Sequence, residues 1–284
     1  MLGKLNLSIT AAFLLVAAIF PAWGQTYSKI DFPGASSTFP TGINNGGDIV
    51  GTYNDKRGVC HGFLLSGGVF TSFDDPSGTS TRAMGINDSG QIVGSYFDPI
   101  SHRTYGFLLT NGAYTTLQYP NASFTQPLGI NNSGTIVGYF IPGTQYRGFT
   151  FSNGIFTPIQ PGGSVESILG GINSAGEFSG LSYRGNSFEE GFVSSPGNFH
   201  WIVYPNAIFT FATGINDANQ VVGYFEALNL GPDQGFSVVD GKYSIIAFPG
   251  AYQTMAFGIN NASQIVGYYQ EGFDAASHGF LGSP

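Results

Sequence analysis

The chain has 284 residues, and its 17 acidic and nine basic side chains give a net charge of -8 at pH 7. Charged residues make up only 9% of it, against about 25% in an ordinary globular chain, so uncharged polar side chains must wet most of the surface. An acidic chain without a basic cluster suits neither nucleic acid nor an anionic membrane. We expect neither as a partner.

The first 24 residues have the pattern of a signal peptide. Lys4 supplies a positive charge, residues 9–20 are apolar, and residues 22–24 resemble a small-residue cleavage site. An apolar run of 12 residues is shorter than the roughly 20 that span a bilayer. We predict that residues 1–24 are removed, with an uncleaved anchor as the alternative. The mature chain, 25–284, is then expected to be secreted or extracellular, or else periplasmic, without inserting into a membrane.

A Gly-Ile-Asn triplet recurs six times in the mature chain. The copies start at Gly42, Gly85, Gly129, Gly171, Gly214 and Gly258, which places them 43, 44, 42, 43 and 44 residues apart. A constant period of this length is typical of a repeat architecture. Because no linker interrupts the repeats, we predict one domain.

Each repeat carries four short strand signals, A to D. Strand A ends in the triplet, strand B holds an Ile-Val-Gly run such as 92–94, strand C begins with Gly-Phe, and strand D follows an Asn-Gly-like turn such as 111–112. Short β-branched and aromatic runs between turn formers favour strands over helices. Asn-Gly turns join antiparallel neighbours, so the four strands form a meander. Pro158 within one D strand places D at the sheet edge.

The two ends of the chain decide the topology. The mature chain opens with a lone D strand at 27–32, and the last repeat stops after its C strand at 279–281. The strand counts balance only if the first strand completes the last sheet. Such a ring also removes open sheet edges. We therefore predict an all-β, six-bladed β-propeller with four-stranded antiparallel blades, closed by the N-terminal strand, in preference to a β-solenoid.

The repeat pattern resembles that of the HAF-type extracellular repeat proteins, named for a His-Ala-Phe triplet. The resemblance covers the mature chain, and the corresponding triplets here include His61-Gly62-Phe63 and His278-Gly279-Phe280. In the other four copies the His is replaced, by Tyr105, Arg147, Glu190 and Gln234. All six copies carry Gly in place of Ala. The resemblance implies export and a repeat fold, and it offers no catalytic residues.

Two sets of loops lie on opposite rims of such a meander. The A–B and C–D turns are short and alike, whereas the B–C loops and D–A links differ between repeats, and variable loops on a rigid scaffold commonly bind ligands. The B–C loops also hold 13 of the 26 charged residues, although charges gather wherever loops meet water. We predict a ligand-binding face formed by Asp55, Lys56, Arg57, His61, His102, Arg103, Tyr105, Tyr146, Arg147, Arg184, Glu189, Glu190, Asp274 and His278.

Metal and nucleophile motifs are weak. The triplet asparagines could form a ring of oxygens suited to Ca²⁺, but an Asn that bonds to the backbone two residues on also starts a turn, and we favour the turn. The single cysteine, Cys60, excludes a thiolate zinc site. No nucleophile elbow or phosphate loop is present. We predict no metal, no cofactor and no catalytic residue.

We predict a non-catalytic binding protein, because catalysis places different groups at one centre and so breaks repeat symmetry. Its expected partner is a glycan or an extracellular protein, and its expected state is a monomer. One alternative is a metal-dependent hydrolase or lyase with an ion at the central channel. Another is a structural or adhesive surface protein.

Overall fold

The structure, a computed structural model, describes residues 26–185, 189–228 and 231–284. The predicted signal peptide therefore lies outside the described residues. The described part contains 24 β-strands. None of its residues form a helix long and apolar enough to cross a membrane.

The strands form six antiparallel four-stranded units, which we number along the chain. The first strands are β2 (Ser37–Ile43), β6 (Thr79–Ile86), β10 (Phe124–Ile130), β14 (Glu166–Ile172), β18 (Ala207–Ile215) and β22 (Gln253–Ile259). The second strands are β3 (Ile49–Asn54), β7 (Ile92–Asp98), β11 (Ile136–Ile141), β15 (Phe178–Tyr183), β19 (Val221–Ala227) and β23 (Ile265–Gln270). The third strands are β4 (Cys60–Ser66), β8 (Arg103–Thr110), β12 (Arg147–Ser152), β16 (Glu189–Ser195), β20 (Gln234–Val239) and β24 (His278–Ser283). The fourth strands are β5 (Val69–Phe73), β9 (Ala113–Leu117), β13 (Ile155–Ile159), β17 (Asn198–Ile202), β21 (Lys242–Ile246) and β1 (Thr26–Ile30).

Two pairs of units are joined into eight-stranded sheets. Units 2 and 3 share one parallel residue pair, Thr104 with Phe124, and units 4 and 5 share another, Glu189 with Phe209. Every other pairing is antiparallel and lies within a unit, as the turn chemistry predicted. The eight-stranded sheets are thus two four-stranded units touching at one point.

The N-terminal strand completes the last unit, as predicted. Strand β1 pairs with β24, and Tyr27 lies opposite Gly282. The edge position of Pro158 is also confirmed, because β13 is the terminal strand in the order of its sheet within the described residues. Unit 6 is therefore built from both ends of the described chain.

The core of each unit is centred on the Phe of its Gly-Phe pair. All six are fully buried: Phe63, Phe107, Phe149, Phe192, Phe236 and Phe280. A methyl group added to Gly51 in β3 would lie 2.7 Å from the ring of Phe63, which is too close for a real contact. The second-strand glycine therefore makes room for this ring, as the repeat pattern indicated.

A second aromatic set joins neighbouring units. In four links the residue before the proline stacks on a second-strand ring at 3.5–3.7 Å: Phe32 on Tyr53, Tyr119 on Phe140, Tyr204 on Phe225 and Phe248 on Tyr269. The other two links carry Asp75 and Gln160 at this position, and Ser182 replaces the second-strand ring facing Gln160. Within the described residues, the only buried side-chain polar atoms without a hydrogen-bond partner are Asp75 Oδ2 and Ser182 Oγ. Both lie where the aromatic pair is missing.

Candidate functional site

The six first strands surround a central channel whose two ends differ in chemistry. We call the end formed by Asn44, Asn87, Asn131, Asn173, Asn216 and Asn260 the narrow mouth. The opposite end, where the B–C loops and D–A links lie, is called the wide mouth.

At the narrow mouth the six asparagines form a closed ring of hydrogen bonds. Each Oδ1 accepts the backbone N–H four residues on, as from Gln91 to Asn87 at 3.0 Å, so the predicted turn role is confirmed. Each Nδ2 donates to the backbone carbonyl of the next unit's Asn at 3.0–3.5 Å. The bond from Asn260 to Asn44, at 3.1 Å, closes the circle. The amide oxygens are thus engaged in their own turns, so they do not form the oxygen ring that a central cation would need.

The residues after these asparagines form an outer ring that includes two carboxylates. Asp88 accepts hydrogen bonds from the backbone and side-chain nitrogens of Asn45 at 2.8 and 2.9 Å, and from Asn132 Nδ2 at 2.6 Å. Asp217 accepts equivalent bonds from Ser174 and Asn261. Burial alone would raise the pKa of each carboxyl group, but these hydrogen bonds outweigh it, and both pKa values lie below the usual range.

Above the asparagines, the triplet glycines bring the first strands unusually close together. A methyl group on Gly214 would lie 2.5 Å from the carbonyl oxygen of Phe257, and one on Gly85 would lie 3.1 Å from Gly129 Cα. The two cavities along this part of the channel measure only about 80 and 70 Å³. Benzene requires a cavity of about 150 Å³, so neither accommodates a ring-sized ligand.

The wide mouth opens into a larger cavity on the channel axis, which we call the socket. It measures about 240 Å³, and all six units contribute to its wall: Thr41, Arg82, Met84, Gln126, Leu128, Tyr139, Ile168, Gly170, Phe211, Thr213 and Phe257. Its polar side is formed by Arg82 and Gln126, whose Oε1 accepts the Tyr139 hydroxyl at 3.4 Å. Arg82 is exposed and has no carboxylate partner among the described residues. Its guanidinium is therefore free to donate to a ligand.

A second cavity, the side pocket, lies between units 4, 5 and 6. It measures about 540 Å³ and is lined by Tyr183, Glu189, Ile208, Phe209, Tyr224, Glu226, Asp233, Met255 and Tyr268. Glu189 and Glu226 flank Phe209 in register on the adjoining strands. Side chains at such cross-strand positions lie on one face of the sheet.

The side-pocket carboxylates lack cationic partners. No ion pair within the described ranges includes Glu189, Glu226 or Asp233. Burial raises the pKa of Glu189, and the charge of Glu166 adds to the increase. Burial likewise raises the pKa of Asp233, with a contribution from Glu226. These carboxylates are consequently available as hydrogen-bond acceptors for a ligand.

Aromatic rings connect the socket to the side pocket. The Tyr224 ring lies 5.8 Å from Phe211 and 5.7 Å from Phe257, both in the socket wall. Phe257 in turn stacks on Tyr268 at 5.5 Å. Burial raises the pKa of Tyr268 to about 12, so its hydroxyl stays protonated at neutral pH. The two cavities therefore lie side by side, with packed aromatic rings forming the wall between them.

Most residues of the sequence-predicted face are engaged with neighbouring protein groups. His61 Nδ1 lies 2.9 Å from Asp74, and His278 Nδ1 lies 2.9 Å from Asp31. Arg57 donates to Asp55, and Arg147 donates to Gln160. Arg184 donates to Glu190 and lies over the Trp201 ring. The Tyr105 hydroxyl donates to Ser101. His61 and His278, which precede the Gly-Phe pairs, thus each bind a carboxylate in the link that follows the fourth strand of their own unit.

The remaining predicted residues lie at the rim. Lys56, His102, Arg103 and Asp274 are exposed on their loops. Tyr146 contacts Tyr139 with ring centres 5.5 Å apart. Of the predicted set, only Glu189 lines either cavity.

Sequence reasoning missed the aromatic lining of the site. Tyr139, Tyr224 and Tyr268 all follow the Gly of an Ile-Val-Gly or Val-Val-Gly run, and Phe209 and Phe211 alternate along one first strand. That recurring Tyr was a usable signal. Within the described residues, no group of three or more His, Cys, Asp or Glu side chains is placed to hold a metal ion.

Exposed apolar side chains also concentrate on the wide-mouth face. Those in its loops and links are Val59, Ile100, Tyr146, Val165, Val203, Leu228, Tyr252 and Phe273. The opposite rim has Val69, Ile155 and Val239. Ile100 and Phe273 are 90% and 79% exposed. The wide-mouth face therefore offers more contact surface around the two cavities.

The fold places the chain among the β-propellers. It is similar to the β-propeller domain of the Trilobed protease of Pyrococcus furiosus, with a TM-score of 0.55 and 13% identity over 87% of this chain and 81% of that one. It is also similar to virginiamycin B lyase of Staphylococcus aureus, with a TM-score of 0.53 and 13% identity over 92% and 99% of the two chains. The Aleuria aurantia lectin, solved with a fucose-containing disaccharide, matches with a TM-score of 0.51 and 10% identity over 83% and 90%. At these identities the similarity concerns the fold alone. No protein-family model matches the sequence, and no curated protein matches it.

Proposed function

We propose that the protein is an exported, non-catalytic, six-bladed β-propeller that binds a glycan at its wide mouth. In this proposal each four-stranded unit is one blade, and the pairing of β1 with β24 closes the ring. The signal-like first 24 residues and the repeat pattern similar to HAF-type extracellular proteins support export. The protein acts as a monomer, because the site lies within one chain.

The observation that carries this proposal is the pair of adjacent, aromatic-walled cavities, the socket and the side pocket. Aromatic faces such as those of Tyr224 and Phe257 pack against the C–H face of a sugar ring, as they do against other apolar surfaces. The carboxylates of Glu189 and Glu226 accept hydrogen bonds from sugar hydroxyls, and Arg82 donates to them. A concave, mainly apolar site with a few convergent polar groups is the usual form of a small-ligand site.

A glycan array with a pair of tyrosine variants tests the proposal. We expect the mature protein to bind at least one glycan class. Tyr224→Ala should lower the affinity at least tenfold, about 1.4 kcal/mol, because it removes a side-pocket ring that also supports the socket rings Phe211 and Phe257. Tyr252→Ala is the matched control, since Tyr252 is 42% exposed on the same face and lines neither cavity. Absence of binding to every glycan, or equal loss in both variants, would refute the proposal.

A further inference from the structure

We infer that the wide mouth recognises the end of a glycan chain, with the terminal residue in the socket and the following residues in the side pocket. This inference rests on the proposed glycan-binding function. It adds that an internal residue of a chain cannot occupy the socket.

The socket is closed at its floor. Its wall residues Thr41, Met84 and Leu128 directly precede triplet glycines. The channel beyond them contains cavities of about 70 and 80 Å³ only. Because a sugar ring is larger than the benzene that needs about 150 Å³, a chain cannot pass through the channel.

The socket is also closed at its sides. All six units contribute to its wall, and neighbouring first strands are so close that a methyl group on Gly170 would lie 2.7 Å from the carbonyl oxygen of Thr213. An internal sugar residue needs two exits, one for each neighbour in its chain. With the floor and the sides closed at the level of the glycines, both exits would have to lie at the wide mouth, where a cavity of about 240 Å³ leaves room for one.

The volume of the socket fits one sugar residue. A hexose residue has roughly twice the heavy atoms of benzene, which occupies a cavity of about 150 Å³. By this scaling one hexose residue needs roughly 300 Å³, so the socket, at about 240 Å³, holds most of one residue with the remainder at its open mouth and has no room for two. The aromatic contact of Tyr224 with Phe211 and Phe257 then leads to the side pocket, whose volume of about 540 Å³ accommodates the next residues.

The socket also orients the terminal residue. Arg82 and Gln126 lie on the walls of units 2 and 3, whereas Phe211 and Phe257 lie on units 5 and 6. A sugar with its C–H face on the phenyl rings therefore presents its hydroxyls to the guanidinium and amide. This places the free end of the chain against Arg82.

The test is an array on which each linear hexasaccharide is printed in three forms. The glucose-, xylose-, mannose-, galactose- and N-acetylglucosamine-based chains are coupled through the reducing end, through the non-reducing end, or through both. We expect binding to at least one singly coupled form and at least tenfold weaker binding to the doubly coupled form of the same chain. Equal binding to the doubly coupled form would overturn end recognition and leave the proposed function intact. Absence of binding to all forms would overturn both.

Two socket variants make the test specific to this cavity. Ile168→Trp fills the socket and should abolish the preference for a free end together with at least 90% of binding. Ile155→Trp is its control, because Ile155 is 66% exposed at the outer edge of unit 3. Should Ile168→Trp fail to fold, Arg82→Gln replaces it, with Arg103→Gln on the rim as its control. Unchanged end preference in Arg82→Gln and in folded Ile168→Trp would contradict the inference.

Discussion

The narrow and wide mouths are opposite ends of the same six strands, yet only the narrow mouth has the same residue, an Asn, in every unit. At the narrow mouth every unit contributes an Asn, and each Asn bonds both its own turn and the next unit. At the wide mouth the equivalent first-strand positions carry Arg82, Gln126, Ile168 and Phe211 in successive units. The repeated end has its asparagine side chains hydrogen-bonded within the protein, whereas at the divergent end Arg82, Glu189, Glu226 and Asp233 form no ion pair with any described residue.

This difference separates the residues that maintain the fold from those that form a site. A group needed equally in every unit, such as the Gly-Ile-Asn triplet, serves the packing of units against each other. A ligand breaks the symmetry, because it presents different groups to different units. We therefore expect divergence among first-strand side chains to indicate a binding site more specifically than divergence among loops.

The largest expected effect comes from breaking the circle on which the narrow mouth depends. Removing residues 26–33 should abolish cooperative unfolding, because unit 6 loses strand β1, His278 loses Asp31, and Tyr53 loses its stacked Phe32. Differential scanning calorimetry of this deletion, against a chain beginning at residue 26, measures the effect. An unchanged melting transition would show that the ring does not require its N-terminal strand.

The glycine ring between the two mouths should be the next most sensitive element. Gly214→Ala is expected to destabilise the fold by about 2–4 kcal/mol, since its new methyl group would lie 2.5 Å from the Phe257 carbonyl oxygen. Gly143→Ala is the control, because a methyl group there has no heavy atom within 4 Å. Urea unfolding compares the two variants. Equal midpoints would mean that the first strands move apart to accommodate the methyl group without loss of stability.

Carboxylates at the two mouths should respond to pH with opposite signs. The folded-state pKa of Asp88 is lowered, so its stabilising contribution is present above the unfolded pKa and is lost as pH falls. That of Glu189 is raised, so its contribution is present below the unfolded pKa and is lost as pH rises through the folded value. At pH 7, Asp88→Asn should therefore lower the melting temperature and Glu189→Gln should raise it, each by about 1–2 °C, because solvent weakens exposed charge interactions.

Melting curves at pH 3 provide the control for this pair. Glu189 is largely protonated there because its pKa is raised, so Glu189→Gln should melt close to the parent protein, and the effect of Asp88→Asn should be smaller than at pH 7 because the contribution of the ionised carboxylate is lost as pH falls. A shift of the same sign in both variants at pH 7 would contradict the assigned difference between the two mouths.

The strand pattern and the closure by β1 could be predicted because they depend on local chemistry that recurs. A positive φ at two successive turn residues, such as Asn111 and Gly112, occurs in four units, and the second-strand glycine, such as Gly51, is present in all six, so these residues reappear at a fixed spacing. The site could not be predicted in the same way. The socket wall takes one or two residues from each of the six first strands, together with Tyr139 of β11, and adjacent contributors such as Arg82 and Gln126 are separated by a whole repeat.

The availability of the charged loop residues could not be predicted from the sequence for a related reason. Whether His61 is available to a ligand depends on its distance to Asp74 across two strands, 2.9 Å, which neither residue reveals alone. The same holds for Arg184, which lies over the Trp201 ring at 4.8 Å. Glu189 differs from them because the residue paired with it on strand β18 is Phe209, whose side chain is uncharged.

The most direct measurement is a crystal structure of the mature protein with a glycan selected on the array. We predict one sugar residue in the socket between Arg82 and Phe257, with the next residues beside Tyr224 in the side pocket. A glycan bound at the asparagine end of the channel, or on the outer loops around His61 or Arg184, would contradict the assignment of the site.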